Sequence, residues 1–211
     1  MRTIDRFLKH CEDPNPGFSC FDYLDRGEEI GFSAKVKNLL HEGATKKSLK
    51  QLSSSIHDPD KQLLEFFRRI DGFYPYVDLE TGYRPFELCS IPEWPHSTRE
   101  MKKWYLNDGE EFFGNIDFLT NGIAIGKINR TPDYISIVSD GPNAGKIFHV
   151  AHDDFKYEPY AESFDQFITR MIDDPATFLN DIGAFAHYSD GQTDTKWCPK
   201  NYHPDMADIA R

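Results

Sequence analysis

Residues 149–154, with the sequence HVAHDD, carry the side chains best suited to metal binding, because imidazole and carboxylate groups are ligands of zinc and other divalent ions. In an extended strand, however, His149 and His152 are an odd number of positions apart and point to opposite faces of the sheet. The two imidazoles would reach one ion together only if the strand contained a bulge. We therefore expect no metal site and no cofactor, with His149 packed in the interior and His152 at a strand end.

Two cysteines lie near histidines, and a neighbouring imidazole is what activates a thiol nucleophile. Cys11 directly follows His10, and Cys198 precedes His203 with a loose spacing. Side chains of adjacent residues do not converge on one substrate, and the sequence contains no C-x-x-C pair, G-x-S-x-G elbow, P-loop or G-x-G-x-x-G motif. We expect reduced thiols and a protein that is not an enzyme.

Acidic pairs occur at residues 110–111, 153–154 and 173–174. Two carboxyl groups that meet in a cleft with shifted pKa values can act as general acid and general base. Charged side chains on solvated loops and helix ends explain these pairs equally well, and we favour that interpretation. No pair is predicted to be catalytic.

The charge balance excludes one large class of partner. The 211 residues include 24 Lys and Arg against 35 Asp and Glu, which gives a net charge of −11 at pH 7. A protein that binds nucleic acid by neutralising phosphates needs the opposite sign. Because the sequence has neither an apolar run of about 18 residues nor an apolar stretch after Met1, we expect no membrane contact and a cytoplasmic location.

The first third of the sequence has helical patterns. Apolar residues recur at helical spacing over residues 32–40 and are followed by Gly43, which predicts a helix with a glycine cap. A second helix is predicted from Thr45. A third is predicted after Asp58 and Pro59, which suit a cap and a first helical position.

Residues 83–91 are predicted to be extended, and the capping-box pattern of residues 97–100 predicts a short helix after them. Apolar side chains then alternate with period two around residues 116–118, 123–125, 135–137 and 147–149. The turn-rich breaks between them are short, so the strands should be antiparallel neighbours in a meander. Helices are predicted from Ser163 and from Pro175.

Helices, then a meander, then helices are typical of an α+β fold, which we predict as a single domain with the helices packed on the sheet. Residues 1–44 are interpreted as an extension with one helix, residues 45–190 as the α+β domain, and residues 191–211 as a tail packed on that domain. The role of the extension is left open.

Four segments within residues 45–175 occur in a characteristic order and spacing. They are residues 66–72 (FFRRIDG), 88–94 (LCSIPEW), 145–154 (GKIFHVAHDD) and 161–167 (AESFDQF). In this order they resemble the SUKH superfamily, which includes bacterial immunity proteins and fungal regulators of cell-wall synthesis. Residues 197–202 resemble a terminal element of some members.

The resemblance implies a non-enzymatic protein-binding module, an immunity protein that neutralises a cognate bacterial toxin by occlusion. A nuclease is one candidate toxin, because its phosphate-binding surface is cationic and an acidic protein complements it. The predicted contact residues are Asp117, Asp153, Asp154 and Glu158, with Trp94 as an apolar anchor. The alternative for Trp94 is core packing, which is the interpretation that we favour. A regulatory scaffold of the fungal type and an uncharacterised hydrolase are the alternative functions, and the oligomeric state is left open.

Overall fold

The computed structural model describes residues 2–13, 17–22, 31–107, 116–152, 158–184 and 187–199. The fold is α+β, as predicted. The helices are α1 (Thr3–Cys11), α2 (Lys46–Ser55), α3 (Lys61–Arg69), α4 (Trp94–Asn107), α5 (Asp117–Thr120), α6 (Phe164–Asp173) and α7 (Pro175–Asp181). The strands are β1 (Ser19–Asp22), β2 (Gly31–Ser33), β3 (Val36–Leu40), β4 (Phe73–Asp78), β5 (Phe86–Leu88), β6 (Gly122–Ile128), β7 (Tyr134–Val138), β8 (Ile147–Val150) and β9 (Trp197–Pro199).

The larger sheet is a meander in the order β3-β4-β5-β6-β7-β8, so its strands follow their order in the chain. The pairs β4–β5, β6–β7 and β7–β8 are antiparallel. Short connections explain this order, because antiparallel neighbours need only a tight turn. Two of the turn-rich breaks, at residues 131–133 and 140–145, connect β6 to β7 and β7 to β8.

The described residues fall into two compact units. One comprises the ranges Met1–Leu39, Tyr74–Phe86 and Thr169–Arg211, and the other comprises Leu40–Phe73 and Glu87–Ile168. In the first unit, β1 pairs with both β2 and β9 in a small antiparallel sheet. The segments predicted as an extension and as a tail therefore contain strands that pair with each other. The ring of Trp197 in β9 lies 5.3 Å from that of Phe32 in β2.

Tyr76 is the central polar contact of the first unit. Its ring is fully buried, and its hydroxyl donates to the backbone oxygen of Met171 while lying 3.2 Å from Nε2 of His10. The backbone oxygen of Tyr76 accepts a hydrogen bond from the hydroxyl of Tyr188, at 3.1 Å. Asn38 supplies a further bond, because its Oδ1 accepts from the Tyr76 amide. Buried polar groups of this kind stabilise a fold only when they are paired, as they are here.

We expect the free energy of unfolding to decrease as the pH falls from about 7 to about 5, in part because of His10. Burial lowers the pKa of His10 below its usual value, and the negative charges of Asp13 and Asp173 offset that effect only in part. The unfolded chain thus binds the proton more readily than the folded chain, so acid favours unfolding. The substitution His10→Gln should flatten this pH dependence in thermal unfolding followed by circular dichroism. An unchanged pH dependence in His10→Gln would show that the imidazole is not responsible.

The second unit contains the helices α2 to α5, the strands β6 to β8 and the start of α6, up to Ile168. Thr45 caps α2 by accepting from the Ser48 amide, and Asp60 caps α3 by accepting from the Gln62 amide. Phe66 and Phe67 of α3 pack against Phe164 of α6, with ring centroids 5.0 and 5.7 Å apart. A second group of apolar side chains surrounds α5, namely Met101, Ile116, Phe118, Leu119, Ala124, Val138, Phe148 and Val150.

The predicted helix over residues 32–40 is wrong, because this stretch forms β2 and β3. Phe32 pairs with Cys20 of β1, and the amide of His41, just after β3, bonds to the oxygen of Gly72. Pairing with distant strands overrides the local helical spacing. Gly43 is not a helix cap, and a Cβ atom there would meet the backbone oxygen of Arg68.

The predicted strand around residues 116–118 is also wrong, because residues 117–120 form the helix α5. The apolar pair at positions 118 and 119 suits one turn of helix, and the Phe118 ring stacks on Phe148 at 4.7 Å. Two helix starts differ from the prediction. Asp60 caps α3 in place of Asp58, and α4 begins after a capping box formed by Ser90 and Glu93 on a 3₁₀ turn at Ile91–Glu93.

Candidate functional site

Of the five predicted contact residues, the structure describes the side chains of Trp94 and Glu158. Glu158 is exposed. Asp117 begins the helix α5, where its backbone is described, whereas Asp153 and Asp154 lie outside the described residues. Whether the four acids share one surface therefore stays a prediction.

Trp94 lies in the core of the second unit. Its side chain is 1% exposed, its ring centroid is 5.2 Å from that of Phe67, and its indole Nε1 donates to the backbone oxygen of Cys89 at 3.2 Å. This corresponds to the core-packing alternative. A partner would therefore find no exposed indole ring at this position, although Trp94 borders a groove on α4.

The four cysteines are free thiols, and burial makes each of them a poor nucleophile. Burial raises the pKa of Cys11, Cys89 and Cys198 to about 12, and raises that of Cys20 further. The thiolate is the reactive form, and a thiol with so high a pKa is almost entirely protonated at neutral pH. The imidazole of His10 lies against the hydroxyl of Tyr76, at 3.2 Å.

The two histidines of the HVAHDD segment occupy different environments. His149 in β8 is 9% exposed, whereas His152 follows the strand and interacts with Asp133. Oδ1 of Asp133 lies 2.7 Å from Nδ1 of His152 and accepts from its amide at 2.8 Å. Asp133 is 4% exposed, so this pair ties the end of β8 to the turn before β7. In the part of the chain that the structure describes, no three His, Cys, Asp or Glu side chains are close enough to hold a metal ion.

An open groove of about 650 Å³ lies in the second unit, on the exposed side of α4. Its apolar lining is mainly Pro95 and Ile123, because Trp94 borders the groove but is only 1% exposed, and its charged wall comes from α4. The charged residues are Arg99, Lys102 and Lys103, which share one helix face because they are spaced by three and four positions. Ser55 at the end of α2 and Thr98 complete the lining.

Local contacts hold this groove in place. The Thr98 hydroxyl oxygen accepts from the amide of Ala124, which ties α4 to β6. Gln51 of α2 donates to the backbone oxygen of Ile91 at 3.0 Å, which ties α2 to the turn before α4. Nζ of Lys102 donates to the backbone oxygen of Thr120 at 2.8 Å. The groove is therefore built on hydrogen-bonded elements and not on a free loop.

The cations of the groove have no acidic partner within the described residues. None of the described carboxylates forms an ion pair with Arg99, Lys102 or Lys103, and the near contact of Arg99 is Nδ1 of His96, at 3.5 Å. Lys102 is half-buried, and this loss of water lowers the pKa of its ammonium group. A half-buried cation that has no carboxylate partner among the described residues is a site where an anion is stabilised.

A second groove of about 580 Å³ lies along α2 and α3. Lys46 and Lys50 contribute cations, and Leu49 and Leu64 contribute apolar surface. Here the remaining cation, Arg68, pairs with Glu65 at 3.1 Å. Helix α2 carries three lysines and no acidic residue, so this acidic protein has a locally basic surface.

Both grooves were missed by the sequence analysis. The available signal was the helical spacing of Arg99, Lys102 and Lys103, and the lysine-rich start of α2 at Lys46 and Lys47. Neither signal predicts that α2, α4 and β6 come together.

No protein-family model matches the chain, and comparison with curated proteins gives no match. The resemblance to the SUKH superfamily stays a prediction. Within the described residues, no helix combines the length and the apolar character needed to cross a membrane.

Proposed function

We propose that this chain is a protein-binding module of the immunity type, which acts in the cytoplasm by binding a cognate bacterial toxin and covering its active surface. One observation carries the proposal. The side chains best suited to chemistry are buried or occupied by contacts within the fold. Three cysteine thiols are buried and Cys11 is half-buried, all four have raised pKa values, and His152 is held by Asp133. Occlusion requires a stable surface and no bond-making residues.

The net charge of −11 supports a partner with a cationic surface. Toxins that cleave nucleic acid hold phosphate with Lys and Arg, and opposite potentials accelerate encounter and select the correct partner. The observed α+β order, with a meander between helices, is the fold that the resemblance to immunity proteins implies. The predicted acidic contacts remain Asp117, Asp153, Asp154 and Glu158.

Co-expression with a toxin encoded beside this gene tests the proposal. We expect the wild-type chain to restore growth, and we expect the affinity of the purified pair to fall as salt is added. Neutralising the predicted contacts with the changes Asp117→Asn, Asp153→Asn, Asp154→Asn and Glu158→Gln should slow association about tenfold or more. Surface plasmon resonance at several salt concentrations measures this rate.

The matched control removes the same number of negative charges elsewhere on the surface, with Glu12→Gln, Asp58→Asn, Asp181→Asn and Asp194→Asn. This control should keep most of the association rate. Equal slowing by both variants would show that the association rate depends on the net charge and not on the four predicted positions. Absence of both growth rescue and complex formation with the neighbouring toxin would refute the immunity role.

A further inference from the structure

We propose that the groove lined by Arg99, Lys102 and Lys103, here called the α4 groove, binds an acidic segment of a partner protein that also carries apolar side chains. The α4 groove is positively charged, whereas the four predicted acidic contact residues are negatively charged. The proposal does not require that the partner be a toxin. Three observations specify the ligand. They are the cations that form no ion pair among the described residues, the apolar lining and the local basicity of an otherwise acidic chain.

The cations specify negative charge. Arg99 and Lys103 are exposed and Lys102 is half-buried, and within the described residues none of the three forms an ion pair with a carboxylate. The guanidinium of Arg99 can hold a carboxylate with two parallel hydrogen bonds. One N–H group of Lys102 already donates to the backbone oxygen of Thr120. Its remaining N–H groups can donate to a ligand in the groove.

The apolar walls specify a peptide and not a phosphate polymer. Pro95 is exposed and Ile123 is half-exposed, and both line the groove. A ligand that neutralises only charge would leave this apolar surface in contact with water. Glu or Asp side chains that alternate with Leu or Phe satisfy both parts of the groove, because burial of apolar surface adds to charge pairing.

The charge of the whole chain argues against nucleic acid as the occupant. A phosphate backbone presents many negative charges in a row, and a protein with a net charge of −11 repels them beyond the immediate groove. A short acidic segment needs only the local field of α4. The groove along α2 and α3 is a weaker candidate for an acidic segment, because one of its cations, Arg68, is already paired with Glu65.

The test measures binding of a fluorescent synthetic peptide in which Glu alternates with Leu and Phe, using fluorescence anisotropy and the full chain. We expect saturable binding that weakens with salt, and much weaker binding of the same peptide with Gln in place of Glu. The double variant Arg99→Glu and Lys103→Glu should weaken binding on the order of tenfold, since two ion pairs become repulsive contacts. Both residues are exposed, so folding should be preserved, and circular dichroism checks this.

The matched control is Lys46→Glu with Lys50→Glu, which changes the net charge equally but lies in the other groove. We expect this variant to bind the peptide within about threefold of the wild type. A further variant, Lys102→Met, keeps the aliphatic stem of the side chain and should also weaken binding.

Several results would overturn the proposal. Equal weakening by the two double variants would mean that the peptide responds to net charge only. Equal binding of the Gln peptide, no binding of the Glu peptide, or tighter binding of a single-stranded oligonucleotide would each exclude an acidic peptide site. Self-association in sedimentation equilibrium that Arg99→Glu with Lys103→Glu abolishes would assign the groove to a second copy of this chain instead.

Discussion

Replacing Trp94 by Ala should lower the free energy of unfolding by about 3–5 kcal/mol, which is the usual cost of truncating a buried aromatic side chain. The ring of Trp94 is 1% exposed and packs against Phe67, and its Nε1 is bonded to the oxygen of Cys89. Removing it leaves a cavity at the start of α4 and an unpaired backbone oxygen. Chemical denaturation followed by circular dichroism measures the change.

The substitution Trp94→Phe separates the two contributions. It keeps an aromatic ring in place but removes the Nε1 donor, so we expect a smaller loss of about 1–3 kcal/mol. Stability of Trp94→Ala within about 1 kcal/mol of the wild type would contradict the core position. Because Trp94 also borders the α4 groove, weaker partner binding by Trp94→Ala has to be compared with the folded fraction of that variant.

Replacing Tyr76 by Phe should destabilise the protein by about 1–3 kcal/mol, although only one oxygen atom is removed. The Tyr76 hydroxyl donates to the backbone oxygen of Met171 and lies 3.2 Å from Nε2 of His10. Burial raises the pKa of Tyr76 well above its usual value, so the hydroxyl stays protonated and keeps its donor. Without the hydroxyl, the buried backbone oxygen of Met171 and Nε2 of the half-buried His10 each lose a partner.

The control for Tyr76→Phe is Tyr134→Phe, in which the same oxygen is removed from a half-exposed ring whose hydroxyl has no hydrogen bond among the described residues. We expect Tyr134→Phe to change the free energy of unfolding by less than about 0.5 kcal/mol. Urea unfolding of both variants under the same conditions gives the comparison. Similar effects of the two substitutions would show that the contacts of Tyr76 with Met171 and His10 contribute nothing specific.

Elements with strong local signals were predictable. The helices α2, α3, α6 and α7 have apolar spacing and a suitable cap, and the strands β6, β7 and β8 are separated by turn residues. Each of these signals acts within a few residues, because caps satisfy the first amides of a helix and turns reverse the chain locally.

The elements that were predicted wrongly depend on distant partners. Residues 32–40 have a helical spacing, yet Phe32 pairs with Cys20 and the chain continues into the larger sheet. Apolar side chains alternate over residues 116–118 as they would in a strand. Residues 117–120 nevertheless form a turn of helix, in which the ring of Phe118 stacks on that of Phe148. A local pattern cannot indicate which remote segment will cover an apolar side chain.

The amino-acid sequence alone determined the α+β class, the meander and the negative net charge, because element order, turn chemistry and charge are properties of the chain itself. Only the tertiary structure decided that Trp94 is in the core and that Ser55, Arg99 and Ile123 line one groove. These three residues are far apart in the chain, and their proximity arises from the packing of α2, α4 and β6. In the sequence these cations are indistinguishable from ordinary surface residues, and only that packing makes them a candidate binding site.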